Sequence, residues 1–248
     1  MAKIVDDDVQ ALKKEMAAVN LRLECLKAAD ECENLMDKYQ YYHMRGMRTE
    51  ETHLFALKTP GCCVEMLWGI YDEPEGVLRW KRSEGYGKPQ QAGGFPLHCM
   101  TTPIIEVAKD GESAKGLWLM LGAESGKMPG DKEAKANWAC GRFAMDFIKE
   151  DGEWKIWKYN TTGVLLAPFE KGWMKDNMKR ADLDRMIKEA AEDKGDHRPD
   201  RPPSYPWMAN AGEHQEDIPP VPYPYETWDD SLACIPVPGK KWKKEHSE

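Results

Sequence analysis

Three side chains in this sequence are of types that move protons at neutral pH and could be held close together. Tyr39 and His43 stand four residues apart in a stretch of helical pattern, so they share one helix face, with Tyr42 beside them. His98 lies in the apolar run Leu97-His98-Cys99-Met100, which reads as a strand. An imidazole titrates near neutrality and accepts or donates, while a phenol in an apolar pocket is a donor that stays protonated. Such a set suits general acid/base work on a carbon acid, in which a base removes the proton and a donor holds the developing oxyanion. Each residue taken singly has a plainer reading. A lone histidine on an apolar strand is more often a hydrogen-bonded core residue, and Tyr39 by itself is a helix tyrosine facing a sheet. His53, before Leu54 and Phe55, reads as structural. His43, His53 and His98 lack zinc-type spacing and no Gly-rich phosphate loop occurs, so neither a metal nor a nucleotide cofactor is expected.

The element with the clearest pattern is the stretch 137–163. Phe143, Met145 and Phe147 alternate with polar or small residues, Glu150-Asp151-Gly152 turns the chain, and Trp154 and Ile156 resume the alternation, which predicts a β-hairpin. Upstream, Val9, Leu12, Met16, Val19, Leu23 and Leu26 recur at alternating spacings of three and four, behind Asp6-Asp7-Asp8 as a helix start. That is the stripe of a coiled-coil seam or of a helix with one buried face. A second helix is expected from Cys32 to Gly46, and a short one carrying His53, Leu54, Phe55 and Leu57 before Thr59-Pro60-Gly61. Val64 to Tyr71 reads as one strand, Asp72 to Glu75 as its turn, and Gly76 to Trp80 as a further short helix. After a mobile loop from Glu84 to Gly94, two strands follow about Lys109-Asp110-Gly111, and Glu124 to Ala136 is a polar excursion. Helices first and antiparallel strands afterwards indicate an α+β fold with helices on one face of a curved sheet.

From Pro168 the character changes. A short helix is expected from Asp182 to Lys194, and ten of the seventeen prolines fall between Pro199 and Pro238. Tyr205, Trp207, Tyr223, Tyr225 and Trp228 are spaced among them, and aromatics in an extended segment seek a surface, so an ordered Pro-rich arm is expected rather than a loose linker. The division is a domain over 1–167 and a C-terminal extension over 168–248. The net charge of -8 argues against nucleic acid, and no apolar run is long enough for a bilayer. Seven cysteines without zinc spacing and an acidic N-terminus unlike a signal peptide point to a reducing cytoplasm, where the sequon Asn160-Thr161-Thr162 is a chance match. Apolar surface beyond the needs of one domain, on the Val9 to Leu26 stripe and the arm, suggests a homo-oligomer, a dimer or trimer.

Several segments together resemble a known family. Helices ending in Tyr39-Gln40-Tyr41-Tyr42-His43, the Glu65 to Tyr71 strand, the Gly76 to Trp80 segment, Pro96-Leu97-His98-Cys99-Met100-Thr101-Thr102-Pro103-Ile104 and the closing hairpin are similar to the SnoaL-like branch of the nuclear transport factor 2-like superfamily, nearest to its bile acid 7α-dehydratase type. The resemblance spans roughly residues 8 to 166. It implies a cone, a strongly bent antiparallel sheet around helices that opens into an apolar pocket, with no cofactor. The function implied is a lyase or isomerase of dehydratase type acting on a hydrophobic cyclic, steroid-like or aromatic small molecule; the alternative is a non-catalytic binding or oligomerisation module of the same fold. Carried over residue by residue, Tyr39 matches the tyrosine late in the second helix and His98 the histidine before the Thr-Pro of the first long strand. They become the oxyanion donor and the acid/base, with His43 as helper. Two acidic positions of that type are not matched, falling on Met44 and Leu121. Glu65 is the remaining acidic candidate, and Met66, Trp68, Trp118 and Met120 are candidates to line a pocket for a flat ligand, though strand residues of this kind are usually core.

Overall fold

A computed structural model describes residues 2–87, 94–126, 133–173, 178–204 and 218–240, with the side chains of 2–6 and 164 excepted. Helix α1 runs unbroken from Ala2 to Met44, where two helices were expected. Lys27-Ala28-Ala29-Asp30-Glu31 holds no glycine, proline or β-branched residue, so nothing interrupts the hydrogen-bond ladder between the two patterns. At 1.5 Å per residue the helix is about 65 Å long. Its C-terminal half buries Ala28, Cys32, Leu35, Met36 and Tyr39, and Gly46 follows it with φ +65°. The short helix α2, Arg48–Thr52, precedes the residues expected to form it. Leu54 to Ala56 instead join the backbone of Ile156, through Ile156 N to Leu54 O at 2.9 Å and Ala56 N to Ile156 O at 2.8 Å.

Strands β1, Cys63–Met66, and β2, Gly69–Tyr71, form a hairpin about Leu67 and Trp68 in place of one strand, and α3, Glu73–Ser83, takes up most of the expected turn. Four long strands follow: β3, Phe95–Val107; β4, Ser113–Gly126; β5, Lys135–Glu150; and β6, Glu153–Pro168. The sheet order is β2-β1-β6-β5-β4-β3. Asp151 and Gly152, at φ +54° and +82°, make the primed turn that the central hairpin needs. The sheet is mixed, not wholly antiparallel, because β1 pairs with β6 in parallel. The chain enters the sheet beside what becomes the last strand, hairpins outward to β2, and crosses through α3 to the far edge at β3.

The period of two divides the sheet into two faces. On the inner face Trp118 and Met120 of β4, Phe143 and Met145 of β5 and Tyr159 of β6 pack with the buried half of α1. Full burial of a side chain of this size is worth roughly 1.5–3 kcal/mol. On the outer face Cys63, Ile70, Leu117 and Ala144 form a smaller core with Cys234 and Ile235. The described parts of the Pro-rich stretch, 199–204 and 218–240, thus lie against this chain's own sheet; Tyr205 and Trp207 fall outside the described residues, as do 88–93 of the expected loop. Helix α4 spans Arg180–Glu192 and buries Leu183 and Ala190. Among the described residues no helix is long and apolar enough to cross a membrane.

Candidate functional site

Where the inner face opens between α1, α3 and the sheet there is a cavity of about 370 Å³, within the range of small-molecule sites. Tyr39 and His43 reach it from the last turns of α1, Arg48 from α2, Trp80 and Glu84 from the end of α3, His98 from β3, Met120 and Glu124 from β4, Phe143 from β5, Tyr159 and Thr161 from β6, and Met186 from α4. The three acid/base candidates meet here in a stack. The rings of Tyr39 and His43 are 5.8 Å apart at 14°, and those of His43 and His98 are 5.2 Å apart at 22°. Met66, Trp68 and Met120 are in the wall.

Two expected wall residues are elsewhere. Trp118 shares the inner face with Met120 but lies deeper, 1 % exposed and edge-on to Phe147, and it fills core rather than bordering the cavity. Glu65 is on the outer face, because its neighbours Val64 and Met66 point inward. Its carboxylate accepts from Ser204 N and Oγ at 2.6 Å and from Asn160 Nδ2 at 3.0 Å, so it anchors the extension. The sequon asparagine is therefore buried. His53 is exposed and away from the cavity.

An acidic partner for His98 comes from a residue that the sequence pattern had left in a loop. Strand β4 continues to Gly126, and the inner-face alternation Trp118, Met120, Gly122 carries on to Glu124. The β3–β4 register places Pro96 opposite Glu124, and His98 Nε2 meets Glu124 Oε1 at 2.7 Å. An ionised carboxylate only accepts, so the proton of the neutral imidazole is assigned to Nε2 and the lone pair to Nδ1. Leu121, where the resemblance would put an acid, is on the opposite face and 55 % exposed. The signal in the sequence was there: extending the alternation by four residues brings Glu124 beside His98.

Beneath the stack lies a buried charge network that sequence spacing did not reveal. Glu51 Oε2 accepts from Arg48 Nη1 at 2.7 Å and Oε1 from Lys81 Nζ at 2.5 Å. Lys81 is fully buried, lies 3.6 Å from the centre of the Trp80 ring, and approaches both Tyr39 OH and Glu84 Oε2 at 3.4 Å. Burial alone would raise the pKa of Glu51, but the Lys81 ammonium and the Arg48 guanidinium outweigh it and hold the carboxyl well below its usual range. Burial pushes His43 below the usual histidine value despite Glu51. His43 Nδ1 meets both Arg48 Nη1 at 2.5 Å, a donor only, and Glu51 Oε1 at 3.2 Å, an acceptor only; the shorter contact assigns the proton of neutral His43 to Nε2. Burial, with Glu51 adding to it, lifts Tyr39 well above the ordinary tyrosine range and keeps it a donor. Tyr159, at 5.0 Å between ring centres, is raised likewise by burial.

Contrary to the expectation from spacing, His43, Glu51 and Glu84 do gather three potential metal-ligand atoms within 4.8 Å of one another. The Lys81 ammonium contacts both carboxylates and already supplies the cation such a cluster needs. The donor set therefore fits an internal ion-pair network better than a metal ion.

No curated protein matches the chain in sequence. Among solved structures it is similar in fold to LinA, at 16 % identity over 60 % of this chain and 94 % of that one with a TM-score of 0.48. Others include the hexachlorocyclohexane dehydrochlorinase LinA-type3 from Novosphingobium barchaimii, at 15 % identity over 60 % and 94 % with a TM-score of 0.47. A protein provisionally named a scytalone dehydratase, from Novosphingobium aromaticivorans, is 16 % identical over 59 % and 90 %, with a TM-score of 0.45. The SnoaL-like domain model matches residues 24–160, more than half of the 248 and the whole span from the buried half of α1 into β6, and the chain belongs to that family.

Proposed function

We propose that the cavity catalyses a cofactor-independent elimination or isomerisation on a hydrophobic cyclic small molecule, a lyase or isomerase of dehydratase type. The observation that carries this reading is the His98–Glu124 pair, 2.7 Å long, at the wall of an apolar cavity that also holds the buried Tyr39. In this reading His98 Nδ1 takes a proton from a carbon made acidic by a neighbouring carbonyl or ring, and Glu124 stabilises the imidazolium that forms. Tyr39 donates to the oxygen on which charge develops; the Lys81 ammonium, at its oxygen, makes it a stronger donor. The electron pair of the broken C–H bond forms the new double bond. In elimination the leaving hydroxide departs with its own pair and takes the proton back from His98 as water; in isomerisation the proton returns to another carbon of the same substrate. His43, neutral and with its proton on Nε2, assists from the adjoining ring.

Met66, Trp68, Met120 and Leu166 offer flat or pliable apolar walls, which suits a steroid-like or aromatic ring system. The indole N–H of Trp80 has no partner among the described residues, but the ring is fully buried behind the cavity wall. The test is a panel of steroids, cyclic ketones and phenols screened by thermal shift, with stabilising compounds then followed by mass spectrometry. Conversion by loss of water or by isomerisation is expected. Glu124→Gln should lower it about 10²-fold and His98→Ala by about 10²–10⁴-fold. Compounds that bind and are never converted would make the cavity a binding module instead.

A further inference from the structure

The N-terminal half of α1 carries an apolar stripe that the described residues of this chain leave exposed. Leu12, Val19 and Leu26 are 58, 61 and 68 % exposed, and Val9, Met16 and Leu23 lie between them, also exposed. With Val9 as position a, these six are successive a and d positions of a heptad, and the next two, Asp30 and Glu33, end the stripe. The side of the same helix that meets the sheet is a different one. Cys25 Sγ contacts Ala108 O at 3.7 Å, Ala28 and Cys32 are buried, and Leu21 approaches the β3–β4 turn at Gly111. Leu21, Cys25, Ala28 and Cys32 are f and c positions, about 160° around the helix from the a/d stripe. The described part of the domain therefore turns this stripe away from itself.

We infer that the stripe pairs with the same stripe of a second copy of this chain, antiparallel, to form a two-helix seam from Val9 to Leu26. The flanking charges select both the partner and the direction. In an antiparallel pair, a positions face d positions and g faces g, so Glu15 of each copy faces Arg22 of the other, twice by symmetry, and Lys13 faces neutral Asn20. In a parallel pair, g faces the following e, which pairs Asp8 with Lys13 twice but sets Arg22 against Lys27 twice and gives up both Glu15–Arg22 contacts. All of these charged residues are exposed and available. The antiparallel arrangement also sends the two domains to opposite ends of the seam. This inference is independent of the chemistry assigned to the cavity.

Light scattering on the full chain tests it. A mass of twice 28.4 kDa is expected at micromolar concentration, falling to 28.4 kDa for Leu12→Glu/Val19→Glu with unchanged helix content by circular dichroism. Direction is read from Arg22→Glu, which should weaken an antiparallel dimer by about tenfold through two new like-charge contacts. Adding Glu15→Arg to it should restore the dimer. A monomeric wild type, a mass indifferent to Leu12→Glu/Val19→Glu, or a dimer tightened by Arg22→Glu would each overturn the inference.

Discussion

Glu51 and Lys81 form a pairing that is costly to disturb, since both side chains are fully buried. Lys81→Met should destabilise the fold by about 3 kcal/mol, because it leaves a carboxylate inside with only Arg48 and the His43 edge to answer it. Adding Glu51→Gln should recover much of that loss, and denaturant melts of the two variants measure it. The same network fixes a pH dependence. His43 has a folded pKa below its unfolded value of 6.5, so the unfolded chain binds more protons in the window beneath 6.5, and stability present above that pH is lost as pH falls through it. The depressed Glu51 acts in the same sense at lower pH, below 4.5. The melting temperature should fall between about pH 7 and pH 5.5, and more gently in His43→Gln, which stays neutral; an equal slope in the two proteins would place the titration elsewhere. At this scale Tyr39, His43 and His98 were legible, because helix and strand periodicity say which residues share a face. Glu51, Lys81 and Arg48 were not, since the chain gives no sign of which charges in two separate helices will be folded inward together.

Strand β4 shows how an element carries the site. Its inner-face residues step from packed core at Trp118, through the cavity wall at Met120, to the acid at Glu124, with Leu119 and Leu121 exposed on the other side. Gly116 makes room at the deep end, because a Cβ there would meet Trp118 at 2.3 Å and Phe147 at 3.2 Å. Gly116→Ala should therefore cost about 1–3 kcal/mol by overpacking and raise Trp118 fluorescence quenching by solvent. An unchanged melting temperature would mean that the ring has space to move. The hairpin β5–β6 was readable from its Asp-Gly turn and alternating aromatics. The end of β4 was legible only by carrying the alternation past Gly122, because Glu124-Ser125-Gly126 looks polar where the strand leaves the core and both of its faces become half-buried. The break between the helices failed for the opposite reason: a change of apolar stripe from a/d to c/f looks like a new helix, although the backbone runs straight through.

Taken whole, the molecule is a sheet with a core on each side, one under α1 and one under the chain's own C-terminal residues. Asp146 joins the second layer to the first: it pairs with Lys115 at 2.7 Å and accepts from Cys234 N at 2.8 Å, while Lys115 also donates to Leu232 O. Asp146→Asn should lower stability by about 3 kcal/mol and expose the segment after Ile218 to protease before the domain itself is cut. Simultaneous digestion of both would argue against that order. For the cavity the decisive observation is whether His98 moves protons. In deuterated buffer, compounds from the panel that stabilise the protein should take up deuterium at the carbon beside their carbonyl, or in the converted product, with the wild type and not with His98→Ala. Compounds that bind tightly to the wild type yet gain no deuterium and undergo no conversion from pH 6 to 8 would contradict the acid/base account.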